Sequence, residues 1–341
     1  MYLIQQRKFA VFYFIKVGGI IKDKKFVFIS LILVVFFLSI LSISIGKVNI
    51  FNENKEIGLN ILLNLRLPRI IMAMFVGASL AVSGAVFQSL LNNPLADSYT
   101  LGVSSGAALG ACIAIYLNLT LSIYIPPQIL SIVFSILVLF IVLSIANVGG
   151  FITNSNIILA GLIVSSVCQA GVSLLKSMAN ENASAMVYWL LGNLSAKSIK
   201  EVIMLIVFST IGILICFRYS REINIMTLGR KEAIIVGVDY DKTNKILLIN
   251  CSIITAICVS LCGIIGFIGI IVPHLIRILV GADNRKVIPL SSLLGAILLL
   301  SADTLTRTVF PHEIPVGVFT TLIGGPFFCY IFVKRNSRTN I

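Results

Sequence analysis

Ten apolar runs, near 26–45, 68–91, 99–117, 127–147, 155–176, 199–217, 245–268, 273–281, 287–307 and 316–333, occupy most of this 341-residue chain. All but one approach the roughly 20 residues that a helix needs to cross a bilayer. The run 273–281 is too short to cross alone, so it is expected to form a partial helix or to merge with its neighbour, with nine or eleven spans as alternative counts. In hydrocarbon every backbone N–H and C=O must be satisfied within the protein, which leaves helices as the economical solution for separate apolar runs. The expected fold is therefore an all-α polytopic membrane protein of about ten transmembrane helices. Composition agrees: 58% of residues are apolar and 11% charged, whereas a soluble domain carries about 25% charge. The connections are too short to hold a large aqueous domain.

The formal net charge of +13 would suggest a nucleic-acid partner in a soluble protein. Here the basic residues lie between apolar runs and cluster in 1–25, 218–244, 282–286 and 334–341, where they set orientation by the positive-inside rule. Both termini are then expected in the cytoplasm, and the chain in the cytoplasmic membrane. The plan is an N-terminal segment 1–25, a single transmembrane body 26–333 with one substantial cytoplasmic loop at 218–244, and a tail 334–341. The first run follows six basic residues and no small-residue cleavage site, so it is expected to stay as a span rather than to be removed as a signal.

Several chemistries are missing. The seven cysteines fall in apolar stretches without a CxxC pair and read as packing residues. No GxxxxGK[ST] loop occurs, so the chain cannot hydrolyse ATP by that route. His274 and His312 are isolated, and Asp303 is the one acidic residue deep within the runs. That leaves no metal ligand set and no proton relay for a stand-alone carrier.

The remaining polar residues sit at run boundaries. In LRLPR, Arg66 and Arg69 flank Pro68 at the outer start of the second run; proline suits a helix's first turn, which would hold both guanidiniums at a rim. Arg307 ends the ninth run on the same side, four residues after Asp303, a spacing that permits an ion pair. Lipid-anchoring arginines are the alternative. At inner ends, Asn92, Asn93, Pro94, Asn154 and Ser155 either cap helices or line a constriction. In the loop 218–244, Gly229 and Gly237 bracket a short helical stretch in which Ala233, Ile234, Ile235 and Val236 form an apolar patch. That stretch is either a solvated loop or a docking helix for a cytoplasmic partner. Stretches such as VGASLAVSGAVF, LGVSSGAALGA and LAGLIVSS supply the small residues that let membrane helices pack closely.

Taken together, LRLPR (65–69), GASLAVSGAVFQSLLNNPLADSYTLGVSSGAALG (77–110), LAG (159–161), LG…VG (228–237), GFIGIIVPHLIR (266–277) and ADTLTR…EIPVGVFTTLIGGPFF (302–328) resemble the FecCD family of membrane subunits of type II ABC importers for iron-siderophores, haem and cobalamin. The resemblance covers about residues 60–333. It implies a ten-helix permease working as a homodimer or with a close paralogue, two cytoplasmic ATPase subunits, and an extracellular or periplasmic substrate-binding protein. ATP and Mg are then used by the partner ATPase, and this chain holds no cofactor or metal. By the same resemblance, Arg66, Arg69 and Arg307 would meet glutamates of the binding protein. The stretch from Leu228 to Tyr240, with Gly229, Arg230, Glu232 and Gly237, would couple to the ATPase. Asn93 and Leu95, with Asn154 and Ser155, would form the cytoplasmic gate, although the second pair departs from the Thr-Ser of some members. The expected cargo is an iron-siderophore, with haem or cobalamin as the alternative.

Overall fold

The computed structural model describes residues 24–46, 55–148, 151–195, 197–310 and 312–339; residues 1–23 of the expected N-terminal segment lie outside them. Helices account for nearly all of it. α1 (Lys24–Ser44) is followed by α2 (Lys55–Ile61), a π turn (Leu62–Arg66) and α3 (Leu67–Leu90). Then come α4 (Val103–Thr120), α5 (Pro127–Ala146), a two-residue antiparallel ladder (Asn147–Val148 with Phe151–Ile152) and α6 (Asn154–Met178). α7 (Ala183–Leu190), α8 (Ile199–Arg218), α9 (Ser220–Met226), α10 (Arg230–Ile235), α11 (Tyr240–Cys262), α12 (Ile268–Val280), α13 (Asn284–Thr308) and α14 (Val316–Thr339) complete the order. Eight of the helical segments are long and apolar enough to cross a membrane, and α12 and the apolar part of α14 are shorter. These ten coincide with the ten apolar runs.

α3 is the axis of the bundle. Its sequence is small and apolar on all sides, which suits a helix surrounded by others rather than one with a lipid face. Its first half packs with α8, α11 and α13 around Ile70, Met72, Leu205, Ile254 and Leu299. Its second half joins α4, α5, α6 and α11 around Phe87, Leu101, Leu139, Ile157 and Leu247. Contact with α13 is close because Gly77 and Gly295 face each other: a Cβ on Gly295 would lie 2.3 Å from the Gly77 carbonyl oxygen. By contrast α1, α5, α6 and α8 expose Phe36, Phe37, Phe140, Ile163 and Leu214 on their outer faces, as a lipid-facing surface requires.

Four boundaries differ from the apolar runs. Pro68 does not open its helix; helical backbone extends outward through the π turn to α2, making one continuous stretch Glu56–Leu90. Proline has no N–H to offer the carbonyl four residues earlier, and the turn before it widens instead of ending. The run 245–268 breaks at Gly263 (φ +70), and Phe267 (φ +68) re-aims the chain into α12. With 13 residues, α12 is about 20 Å long, so it crosses only part of a hydrocarbon core about 30 Å thick. Finally, 92–102 is a loop, and α4 starts after Gly102 (φ +78). At the far end, α14 continues through 334–339, where a tail was expected.

Candidate functional site

The end of the bundle formed by the start of α3 and the end of α13 gathers the three expected arginines, and the structure turns them inward. Arg69 Nε donates to Asp303 Oδ1 (2.9 Å) and Oδ2 (3.2 Å), and its Nη1 donates to Glu313 Oε2 (3.0 Å). Arg307 pairs with Asp303 at 3.6 Å, the expected i,i+4 contact, while its Nη2 donates to the carbonyl of Ser42 (2.7 Å) and to the Ser42 hydroxyl. Arg66 donates to the carbonyl of Ile43 and contacts that of Ser44. Arg66 and Arg307 are 6% and 7% exposed, so both guanidiniums are buried in this chain. The cause is α1, whose last carbonyls have no helical partner of their own and are capped by these cations. Arg69 is the most open of the three, its side chain 14% exposed. Three arginines against Asp303 and Glu313 leave the cluster with one excess positive charge.

Glu313 and Ser42 were not found from the sequence. They stand 244 and 265 residues from the arginines they contact, and nothing local marks them. Glu313 also accepts from Ser195 Oγ (3.3 Å), which ties the α7–α8 connection to this cluster.

At the opposite end of the bundle, Asn93 builds a turn rather than a helix cap. Its N–H donates to the Gln88 carbonyl (3.1 Å), and its Oδ1 accepts from Leu95 N (2.9 Å). Leu95 follows, 40% exposed. The loop then closes on Asp97, whose Oδ1 accepts from Tyr99 N (3.0 Å) and Thr100 N (3.1 Å). Burial pushes the Asp97 carboxyl up to about 6, against the pull of those two backbone bonds. Asn154 and Ser155 are the first two residues of α6 and do not cap it; the cap is Thr153, whose side chain accepts from Asn156 N. Among the described residues no hydrogen bond joins Asn93 to Asn154 or Ser155.

The stretch bracketed by Gly229 and Gly237 is a helix, α10. Gly237 (φ +90) closes it in a Schellman arrangement, with Val238 N donating to Ala233 O (2.9 Å) and Gly237 N to Ile234 O (3.0 Å). Gly229 (φ +131) opens it beneath the Glu232 carboxylate, and Arg230 pairs with Asp241 at 2.6 Å. Ala233 leaves the expected apolar patch, since it is buried against the bundle. Leu228, Ile234, Ile235 and Val236 are 71%, 56%, 83% and 65% exposed, an apolar surface at the end of the molecule away from the arginines. Among the described residues no group of His, Cys, Asp and Glu is arranged to hold a metal ion.

This architecture has solved and curated counterparts. An inward-facing structure described as an ABC transporter of metal-chelate type aligns with a TM-score of 0.82 and 30% identity, covering 92% of this chain and all of that one. The uncharacterized ABC transporter permease YvrB of Bacillus subtilis is 40% identical over 81% of this chain and 80% of its own length. The cobalamin import system permease BtuC of Halobacterium salinarum is 39% identical over 80% and 73%. The class defined by this fold is the membrane permease of an ABC importer, a transport subunit and not itself an enzyme. The chain belongs to the FecCD transport family, whose model matches residues 26–334.

Proposed function

We propose that this permease carries an iron-siderophore across the cytoplasmic membrane, as one of two permease copies or beside a close paralogue. Both termini then face the cytoplasm, in keeping with the clustering of basic residues at that end. Two ATPase subunits seat on α10 and use ATP and Mg. A periplasmic or lipid-anchored binding protein delivers cargo at the arginine end. The observation that carries this reading is α10: a six-residue helix fixed by two positive-φ glycines, presenting Leu228, Ile234, Ile235 and Val236 to the aqueous side. Exposed apolar side chains beyond the membrane body mark a protein contact, and the chain lacks a phosphate loop of its own.

Docking involves Arg69 first. A glutamate from the binding protein takes the place of Glu313 at its Nη1, a charge-assisted exchange that preserves the bifurcated Nε bond to Asp303. Arg66 and Arg307 join only when α1's last turn releases them. Cargo identity rests on a likeness to transporters of several chelates: the solved counterpart is of metal-chelate type and one relative imports cobalamin.

The test is purification from native membranes followed by reconstitution. Recovery of an ATPase with the chain, and ATP-driven uptake of a ferric siderophore in preference to haem or cobalamin, is the expected result. Uptake of haem or cobalamin instead would overturn the cargo. Failure to retain any ATPase on intact permease would overturn the role of α10.

A further inference from the structure

Arg277 is a cation in the apolar body of α12 for which neither docking nor coupling accounts. Among the described residues no carboxylate lies within ion-pair distance of it. Its partners are neutral oxygens: Nη1 donates to Gln88 Oε1, and Nη2 donates to the Ala85 carbonyl (2.9 Å) and the Ser89 hydroxyl (3.2 Å), all on the last turns of α3. An ionisable group at membrane depth is expensive and calls for a role.

The bonds continue in both directions. Gln88 Nε2 donates to the carbonyls of Gly269 (3.3 Å) and Ile270 (3.2 Å) at the start of α12, and the Gln88 carbonyl holds Asn93 N–H in the turn that carries Leu95. On the other side the single Ser89 hydroxyl proton is shared between the Ala85 carbonyl (2.9 Å) and Asn284 Oδ1 (3.1 Å) at the start of α13. Asn284 in turn donates through its backbone N (2.8 Å) and its Nδ2 (2.9 Å) to Asn224 Oδ1 on α9. Asn224 completes its own set by donating to Asp283 Oδ1 (2.8 Å). α9 is the helix immediately before Leu228 and α10. Gln88, Ser89 and Asn284 are 4%, 7% and 2% exposed, so water cannot replace a broken bond cheaply.

We propose that Asn224, Asn284, Ser89 and Arg277 form a buried positioning link that transmits displacement of the α9–α10 segment to the inner end of α3 and to the turn bearing Leu95. A partly satisfied buried network is worse than an intact one, so its members move together or the link breaks as a unit. Ser89 is its narrowest point, one hydroxyl that joins Arg277 to Asn284.

This inference rests on the transporter reading, and one experiment separates the two. The full complex with its ATPase is placed in lipid nanodiscs, carrying Leu95→Cys and Cys329→Ser, since Cys329 is the exposed native thiol among the described residues. The rate at which a maleimide labels the thiol introduced at position 95 is measured with and without MgATP and vanadate. Ser89→Ala and Asn224→Ala are expected to reduce the nucleotide-driven rate ratio on the order of tenfold, the equivalent of one buried hydrogen bond. Ser89→Thr, which keeps the hydroxyl, restores it. The alanine variants lower the melting temperature by the cost of that same buried bond, Ser89→Thr restores it, and bound ATPase stays unchanged. An unchanged ratio in both alanine variants overturns the link, and so does a loss that Ser89→Thr fails to restore or that comes with lost ATPase. If the parent itself shows no nucleotide response with ATPase bound, the transporter reading fails first.

Discussion

Asp303 shows how much a single buried charge fixes at the arginine-bearing end of the bundle. It is fully buried and held by Arg69 at 2.9 Å and Arg307 at 3.6 Å. Removing one partner of a buried pair costs about 3–5 kcal/mol, because the other charge is left uncompensated. Arg69→Ala should therefore destabilise the permease by roughly that amount, and adding Asp303→Asn should recover part of it, read by thermal unfolding in lipid nanodiscs. Asp97 presents the opposite case, a carboxyl raised to about 6 by burial. An acid whose pKa rises on folding favours the folded state while protonated. That contribution is complete below about 3.8 and is lost as pH climbs through about 6. Asp97→Asn keeps an Oδ1 acceptor for Tyr99 and Thr100 N–H, so it should remove this fall in stability between pH 4 and 6. A wild-type melting profile as flat as that of the variant over this range would show that Asp97 does not titrate there.

At the scale of helices, the glycines divide into two kinds with different expected outcomes. Gly295 permits close approach: a Cβ there meets the Gly77 carbonyl oxygen at 2.3 Å and Ala81 Cβ at 2.6 Å. Gly295→Ala should force α3 and α13 apart at a cost of about 1–3 kcal/mol, visible as a lower melting temperature. Gly237 instead supplies φ +90 with nothing within 4 Å of its missing Cβ. Gly237→Val should leave the bundle intact and strain only the end of α10 by about 1–2 kcal/mol, so binding-protein-stimulated ATP hydrolysis should fall while the melting temperature holds. The bracketed helix and the Asp303–Arg307 pair were legible because both depend on spacing within a few residues. The ten spans were legible because bilayer thickness imposes a length on apolar runs. The break at 263–267 was not, since Ile264, Ile265 and Phe267 are as apolar as the helices beside them and only backbone angles mark it. Nor was the inward turn of Arg66 and Arg307, which depends on where the end of α1 comes to rest rather than on any neighbouring residue.

For the whole molecule, the two-copy arrangement proposed above raises the question of which surface meets the second copy, and Leu95 gives access to it. In the single chain its side chain is 40% exposed on a turn held by Asn93 and Gln88, an arrangement that spends rigid backbone on presenting one apolar group. An apolar plug formed by Leu95 from each of two copies would remove that exposure when the path is closed. Burial of a leucine side chain is worth roughly 1.5–3 kcal/mol, comparable to the gap of a few kcal/mol that separates two states of a gate. Leu95→Ala vesicles should therefore leak cargo faster than wild type. Leu95→Cys, with Cys329 replaced, should form a disulfide between two copies in the closed state and lose it when nucleotide opens the gate. The geometry is demanding, because Cα atoms more than about 7 Å apart cannot be bridged without backbone movement. Should position 95 fail to cross-link in every nucleotide state while Leu95→Ala vesicles retain cargo as wild type does, the constriction lies elsewhere and the Asn93 turn serves only to end α3.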